Sequence, residues 1–155
     1  MKRYLFTFCI LCSSFVFGQS MVSVNSGYNS GFVIDASYGF TTVKFEKNKL
    51  LNFPEEYGFS GSLGYKIASF NGEFYHGPKL NTSGYLGLFY VGLDGVYYFK
   101  DEASKFVLEP AIGLSLFSSV VLKFTYNISD THDFFPNNYK NWGISLGVNI
   151  KLDEY

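Results

Sequence analysis

The chain has 155 residues, which fits a single domain. Aromatic residues make up 21% of it, and Arg3 is its only arginine. A nucleic-acid-binding role is therefore excluded, because such surfaces depend on basic patches and on the arginine fork that holds phosphates.

Residues 1–18 have the composition of a secretory signal peptide. Two basic residues, Lys2 and Arg3, precede an apolar stretch, and Gly18 fits the small residue expected before a cleavage site. Export then leaves residues 19–155 as one domain. Loss of the two basic residues reduces the total of 12 Lys and Arg to 10, against 13 Asp and Glu, so the exported domain has a net charge of −3.

Both cysteines, Cys9 and Cys12, fall inside the predicted signal peptide, so the exported chain has no thiol for a disulfide or a metal site.

We predict that the mature protein begins at Gln19, because the preceding residues fit a cleavage site. Mass spectrometry of the membrane-bound protein measures this. A membrane-bound species that retains both cysteines would refute the assignment.

Six later segments alternate between an apolar face and a face of small and polar residues, which is the period of a β-strand. In the last of them, for example, Leu146 and Ile150 share one face, and Ser145 and Lys151 share the other. The six segments are residues 31–43, 57–69, 84–99, 106–117, 120–129 and 142–152.

Two further strands would give the even number, eight or more, that is typical of bacterial membrane barrels. Residues 72–79 are one candidate, since they follow the turn signal Asn71-Gly72. The eighth is either residues 20–28 or the product of a division of 84–99 near Asp94-Gly95. The inner face of 84–99, which includes Leu86 and Leu88, is less polar than that of the other segments.

The connection around Ser118-Ser119 has a constrained length. The strands on either side keep their faces only if this loop is odd or contains a bulge, because a two-residue turn would exchange the faces. We expect Lys123 to lie opposite Ser115 in this register. Pro110 requires a bulge or a local edge, since it cannot donate to a ladder.

Each of the six segments carries one ionisable residue, and it always lies on the small and polar face. A soluble barrel would place many charges on its outer face, whereas a membrane barrel places apolar residues outside and polar ones inside. We therefore predict an all-β fold, an antiparallel up-and-down transmembrane β-barrel of eight strands. Its predicted lumen charge network comprises Asp35, Lys66, Asp94, Glu109, Lys123 and Lys151.

This lumen has two interpretations, a pathway for a solute or proton and an ion network that fills the interior. An eight-stranded barrel is just wide enough for side chains or one small ligand, which favours the network. Glu109 and Lys123 would then be desolvated and would need partners, which we expect from across the lumen.

The segments Gly64-Tyr65-Lys66, Tyr97-Tyr98-Phe99 and 108–113, together with the closing strand 142–152, resemble the small, porin-like outer-membrane β-barrel domain proteins of Gram-negative bacteria. The resemblance covers nearly all of the exported chain. It implies a monomer in the cell outer membrane, in contact with its lipid and placed there by the barrel insertion machinery.

Residues 130–141 form a long connection that we expect outside the cell. Its segment Asp133-Phe134-Phe135-Pro136 is apolar for a surface loop, so Asp133, Phe134 and Phe135 are a candidate exposed contact for a surface partner. The alternative is that the segment packs over the barrel mouth.

The two histidines suggest only weak sites. His132, among Asp130, Thr131 and Asp133, suits either a weak metal site or a solvated loop. His76 is either a rim histidine or part of a lipid-modifying enzyme, but no nucleophile, base and orienting group follow in order. We therefore expect no enzyme, no cofactor and no metal.

The sequence favours a structural role, or a binding and adhesion role, in the outer membrane. The alternative is a soluble, exported, lipocalin-like barrel that binds an apolar ligand, for which the leucine-rich inner face of 84–99 is the supporting feature.

Overall fold

A computed structural model of the protein describes residues 19–47, 54–116, 119–129, 134–137 and 139–152, so the predicted signal peptide lies outside the described residues. No helix in the described part of the chain is long and apolar enough to cross a membrane. The strands are β1 (Gln19–Tyr28), β2 (Gly31–Thr41), β3 (Lys44–Lys47), β4 (Pro54–Phe70), β5 (Glu73–Gly87), β6 (Phe89–Lys100), β7 (Ala103–Leu116), β8 (Val120–Tyr126) and β9 (Trp142–Lys151).

The strands close into an antiparallel up-and-down barrel, as predicted. β1 pairs with both β2 and β9, and β2 pairs with β4, which joins the two edges of the sheet. β3 continues β2 along β4 in an unchanged register, with Thr41 opposite Ser60 and Lys44 opposite Tyr57. The barrel wall therefore has eight strands, and the predicted all-β fold and strand number are confirmed.

The first half of the chain resolves the open question about the eighth strand. Residues 20–28 lie in β1, and 72–79 are the first part of β5. The division of 84–99 near Asp94-Gly95 is wrong, because the chain turns at Gly87-Leu88 instead. Gly87 has φ 64°, which suits the first position of a two-residue hairpin turn.

This turn also corrects the predicted face of Leu86. Tyr85 points inward and is buried, whereas Leu86 points outward and is exposed. The leucine-rich inner face predicted for residues 84–99 is therefore wrong, because these residues belong to two strands, β5 and β6. The predicted turn at Asn71-Gly72 is confirmed, with φ 53° and 82° at its two residues.

The barrel has two distinct ends. The connection end carries the short turns at 29–30, 71–72 and 101–102 and the long connection 127–141, and the termini end is where β1 begins and β9 ends. The connection between β7 and β8 belongs to the termini end, opposite the long connection.

The register of β7 and β8 is partly as expected. Leu116 lies opposite Val120, so an odd connection of three residues joins them and preserves their faces. The expectation that Lys123 lies opposite Ser115 is wrong by two residues, since Lys123 lies opposite Gly113. Pro110 immediately precedes the β7–β8 ladder, which begins at Ala111, so its missing N–H leaves no gap within that ladder.

The outer face of the barrel is apolar. At its outward positions, β1, β2, residues 57–69 of β4 and β5 to β9 carry no Asp, Glu, Lys or Arg. The largest exposed apolar side chains on this face include Tyr28, Phe32, Tyr38, Leu63, Phe74, Leu86, Phe89, Val91, Ile112, Phe124, Trp142 and Leu146.

Candidate functional site: the closed lumen

The centre of the lumen holds a layer of buried charges. Three of its residues are acids and three are lysines, and each is at most 7% exposed. The charges therefore balance within the layer, which is a condition for burying them at moderate cost. The six are Asp35, Lys66, Lys79, Asp94, Glu109 and Lys123.

One ion pair crosses the lumen. Lys66 on β4 donates to the Glu109 carboxylate on β7, and these strands are not neighbours in the sheet. The other carboxylate oxygen of Glu109 accepts from the Tyr98 hydroxyl at 3.3 Å. Glu109 thus has the cross-lumen partner that was expected of it.

A second lysine, Lys79, joins two acids. Its Nζ donates to Asp35 Oδ1 at 2.8 Å and lies 3.1 Å from Asp94 Oδ2. Asn25 donates to Asp35 at 2.7 Å, and Asn81 donates to Asp94. Both acids therefore have a cation and an amide donor, which satisfies much of their hydrogen-bonding capacity.

Sequence reasoning missed Lys79, although it is among the most deeply buried of the charges. The alternation of β5 is nevertheless visible in the sequence, because it continues without a break from residue 73 to residue 84. Along it, the inner face holds Tyr75, Gly77, Lys79 and Asn81. Treating residues 72–79 as a separate, short strand hid that continuity.

Asp94 and Glu109 are neighbouring acids, and each therefore needs a lysine of its own. They lie directly opposite each other on β6 and β7, and like charges in such a pair destabilise a sheet. Lys79 neutralises the first and Lys66 the second. This arrangement links four strands, β4 to β7, through their inner faces.

Lys123 does not have the partner that the sequence suggested. No carboxylate of a described residue lies within ion-pair distance of its Nζ, which lies 5.9 Å from the centroid of the Tyr90 ring. The expectation of a paired Lys123 is therefore wrong for the described residues. Gly113 and Ser145, directly opposite on either side, offer no charge.

Lys151, the sixth predicted network residue, lies away from the central layer. It is half-buried near the termini end, where its Nζ donates to the Val43 carbonyl at 3.2 Å. Its place in the predicted network is taken by Lys79.

An aromatic cap covers the charges at the connection end. Phe135 is 4% exposed and stacks on Tyr139 with ring centroids 4.3 Å apart. It also packs edge-on against Phe70 and Tyr98, whose rings line the inner wall. Val33, Ala68, Tyr75, Val96 and Val107 complete this buried cluster.

The cap corrects the prediction of an exposed contact in this loop. Phe135 is buried and Phe134 packs partly buried against the same cluster, so the segment lies over the barrel mouth. Asp133 lies outside the described residues, as does His132. Burial, followed by the charge of Glu109, raises the pKa of the Tyr139 phenol, which keeps it protonated as a hydrogen-bond donor.

The termini end has its own smaller apolar layer. Tyr85 and Tyr90 pack edge-on at 5.4 Å, together with Val43, Ala111 and Val121. The central charges are therefore enclosed between apolar layers at both ends.

Gly147 leaves room for the side chain of Asn25, since a Cβ there would lie 2.1 Å from Asn25 Oδ1.

Little empty volume remains in this interior. Two cavities of about 20 Å³ each adjoin Lys123, and each has room for about one water molecule. Asn25 also lines both, and Asp94 lines the first. Water in these cavities would solvate the Lys123 ammonium, which otherwise has little polar contact.

The one histidine that the structure describes lies outside the lumen. His76 lies on the outer face, where its Nδ1 is 2.5 Å from the Tyr65 hydroxyl and its ring is close to Phe99. Among the residues that the structure describes, no group of three or more His, Cys, Asp and Glu is placed to hold a metal ion.

No protein-family model matches the chain, and neither a curated protein nor a solved structure matches it.

Proposed function

We propose that the protein is a small integral outer-membrane β-barrel with a structural role and without catalysis. The observation that carries this proposal is the outer face, where β1, β2, residues 57–69 of β4 and β5 to β9 hold no Asp, Glu, Lys or Arg, while the inner face holds buried ones. In water this arrangement would expose apolar surface around the entire wall, at great cost. In a bilayer it is the favourable arrangement.

The distribution of aromatic residues supports the same environment. Near the connection end, outward aromatic side chains occur on almost every strand, where they suit a membrane interface. The middle of the wall is mainly aliphatic, with Leu63, Leu80 and Ile112 as examples. The outward aromatics near the connection end are Tyr28, Phe32, Tyr65, Phe74, Tyr97, Phe99, Phe106, Tyr126 and Trp142.

The contents of the lumen favour a structural role over transport. Solutes would have to displace an aromatic cap, a layer of buried charges and a second apolar layer. The two cavities that adjoin Lys123 in the described interior each have room for about one water molecule.

A lipocalin-like function has lost its supporting feature. Such a protein needs an apolar interior that is large enough for a ligand. Leu86 is directed outward, and the middle of the interior is charged. A binding or adhesion role would instead use the exposed residues of the long connection, among them Asn137, Lys140 and Asn141.

Cell fractionation tests this proposal. We predict that the protein stays in the membrane pellet after an alkaline wash and needs detergent for extraction. On a denaturing gel, the extracted, unboiled protein should migrate differently from a boiled sample, because a closed barrel resists unfolding in detergent. Recovery as a soluble protein after osmotic shock would favour the lipocalin-like alternative and overturn the proposal.

A further inference from the structure

A small pocket on the outer rim of the connection end combines a cation with two exposed aromatic side chains. It has a volume of about 240 Å³ and is lined by Tyr28, Ser30, Lys140 and Trp142. Tyr28 ends β1 and Trp142 begins β9, which are neighbours in the wall. The pocket therefore lies where the apolar wall meets the polar end of the barrel.

The lining residues supply hydrogen-bond donors and a positive charge. The Lys140 Nζ lies 5.4 Å from the centroid of the Trp142 ring, which holds the ammonium beside the pocket. The Tyr28 hydroxyl and the Trp142 indole N–H are further donors, and the described lining contains no carboxylate. Such a set favours an anion with several acceptor oxygens.

The backbone of this pocket is held in place by the neighbouring turn. The Lys140 N–H donates to Ser30 Oγ at 2.6 Å. The Asn29 side-chain amide donates to the carbonyls of Lys140 at 2.6 Å and Trp142 at 2.9 Å, and its oxygen accepts from the Tyr139 hydroxyl at 3.0 Å. Ser30 Oγ accepts this bond through a lone pair, so its hydroxyl proton is still able to donate to another acceptor. A fixed pocket loses less entropy on binding.

We infer that this pocket binds the phosphate group of a membrane lipid. Lys140 contacts the phosphate as a point charge, the hydroxyl and indole donors orient it, and the exposed faces of Tyr28 and Trp142 contact the adjoining apolar part of the lipid. The inference rests on the proposed membrane location and deepens it, since it assigns one headgroup chemistry to one position on the rim.

The experiment uses Trp142, the only tryptophan of the chain, as the reporter. The full-length protein is folded into phosphatidylcholine vesicles that contain the same small fraction of either brominated phosphatidic acid or brominated phosphatidylcholine. Bromine quenches a nearby indole, so quenching reports which lipid occupies the rim. We expect phosphatidic acid to be enriched about fivefold at Trp142, the gain expected for one lysine at a membrane surface.

Three variants give the control. Lys140→Gln should abolish the preference, and Lys140→Arg should retain it. Lys105→Gln, which removes a lysine from the same end of the barrel, should leave it unchanged. Added inorganic phosphate identifies the source: a preference that persists assigns the site to lipid-borne phosphate, and one that disappears shows that the same donors accept free phosphate.

The outcomes separate the two proposals. Equal quenching by the two lipids, or an undiminished preference in Lys140→Gln, would overturn this inference while leaving the membrane barrel intact. No quenching of Trp142 by either brominated lipid would contradict the membrane location and this inference together.

Discussion

Replacement of Glu109 by alanine is expected to destabilise the barrel by about 3–5 kcal/mol, because it leaves the Lys66 ammonium buried without its partner. Tyr98 loses its acceptor in the same variant. Equilibrium unfolding of the protein in lipid vesicles, followed by the fluorescence of Trp142, measures the free energy of unfolding.

Two variants control for this effect. Glu102→Ala removes an exposed carboxylate from the turn that begins the same strand, and should cost about 0–1 kcal/mol. The double variant Lys66→Met/Glu109→Met removes both charges and should recover most of the loss, since two apolar residues leave no charge stranded. Equal effects of Glu109→Ala and Glu102→Ala would mean that the inner face is solvated.

Lys123 provides the contrast within the same layer. Because none of the described carboxylates pairs with it, Lys123→Met strands no partner and should cost much less than Glu109→Ala. Lys151→Ala should also cost less than Glu109→Ala, since Lys151 is only half-buried and lies near the end of the barrel.

Replacement of Leu146 by arginine is the second change with a large expected effect. Leu146 points outward from the middle of β9, between Ser26 and Leu122 on the neighbouring strands. In a bilayer, an arginine near the midplane costs about 2–4 kcal/mol, and the cost falls toward the interfaces. Ile150→Arg, nearer the termini end, should therefore cost less than Leu146→Arg.

The size of this cost distinguishes a lipid-facing leucine from a water-facing one. The same exposed leucine in a soluble barrel would accept arginine with little loss, because surface substitutions usually change stability by no more than about 0.5 kcal/mol. We expect a graded cost in vesicles, measured by chemical unfolding of each variant. Equal, small costs for Leu146→Arg and Ile150→Arg would exclude lipid contact on this face.

The sequence was sufficient to predict the two faces of the barrel. Strict alternation assigns Asp35, Lys66 and Glu109 to the interior without any knowledge of their partners, because strand parity alone decides which face a residue occupies. The same parity argument predicted the odd connection at Ser118-Ser119. Both results depend on local pattern, which is visible in a single sequence.

The errors arose where long-range geometry decides. The absence of a carboxylate partner for Lys123 among the described residues depends on the shear of the barrel, which brings distant strands together across the lumen. The burial of Phe135 depends on the space that Phe70 and Tyr98 leave at the mouth. The turn at Gly87-Leu88 lacks the Asn-Gly signature that identified Asn71-Gly72.

The ion pair between Lys66 and Glu109 has a consequence for assembly. The two residues are 43 positions apart and meet only when β4 and β7 face each other across a closed wall. A β4–β5 or β6–β7 hairpin that entered a bilayer alone would carry Lys66 or Glu109 into hydrocarbon without its partner. In the proposed membrane location, insertion and closure should therefore occur as one cooperative event, with Lys66 and Glu109 entering the bilayer already enclosed by the same ring of strands.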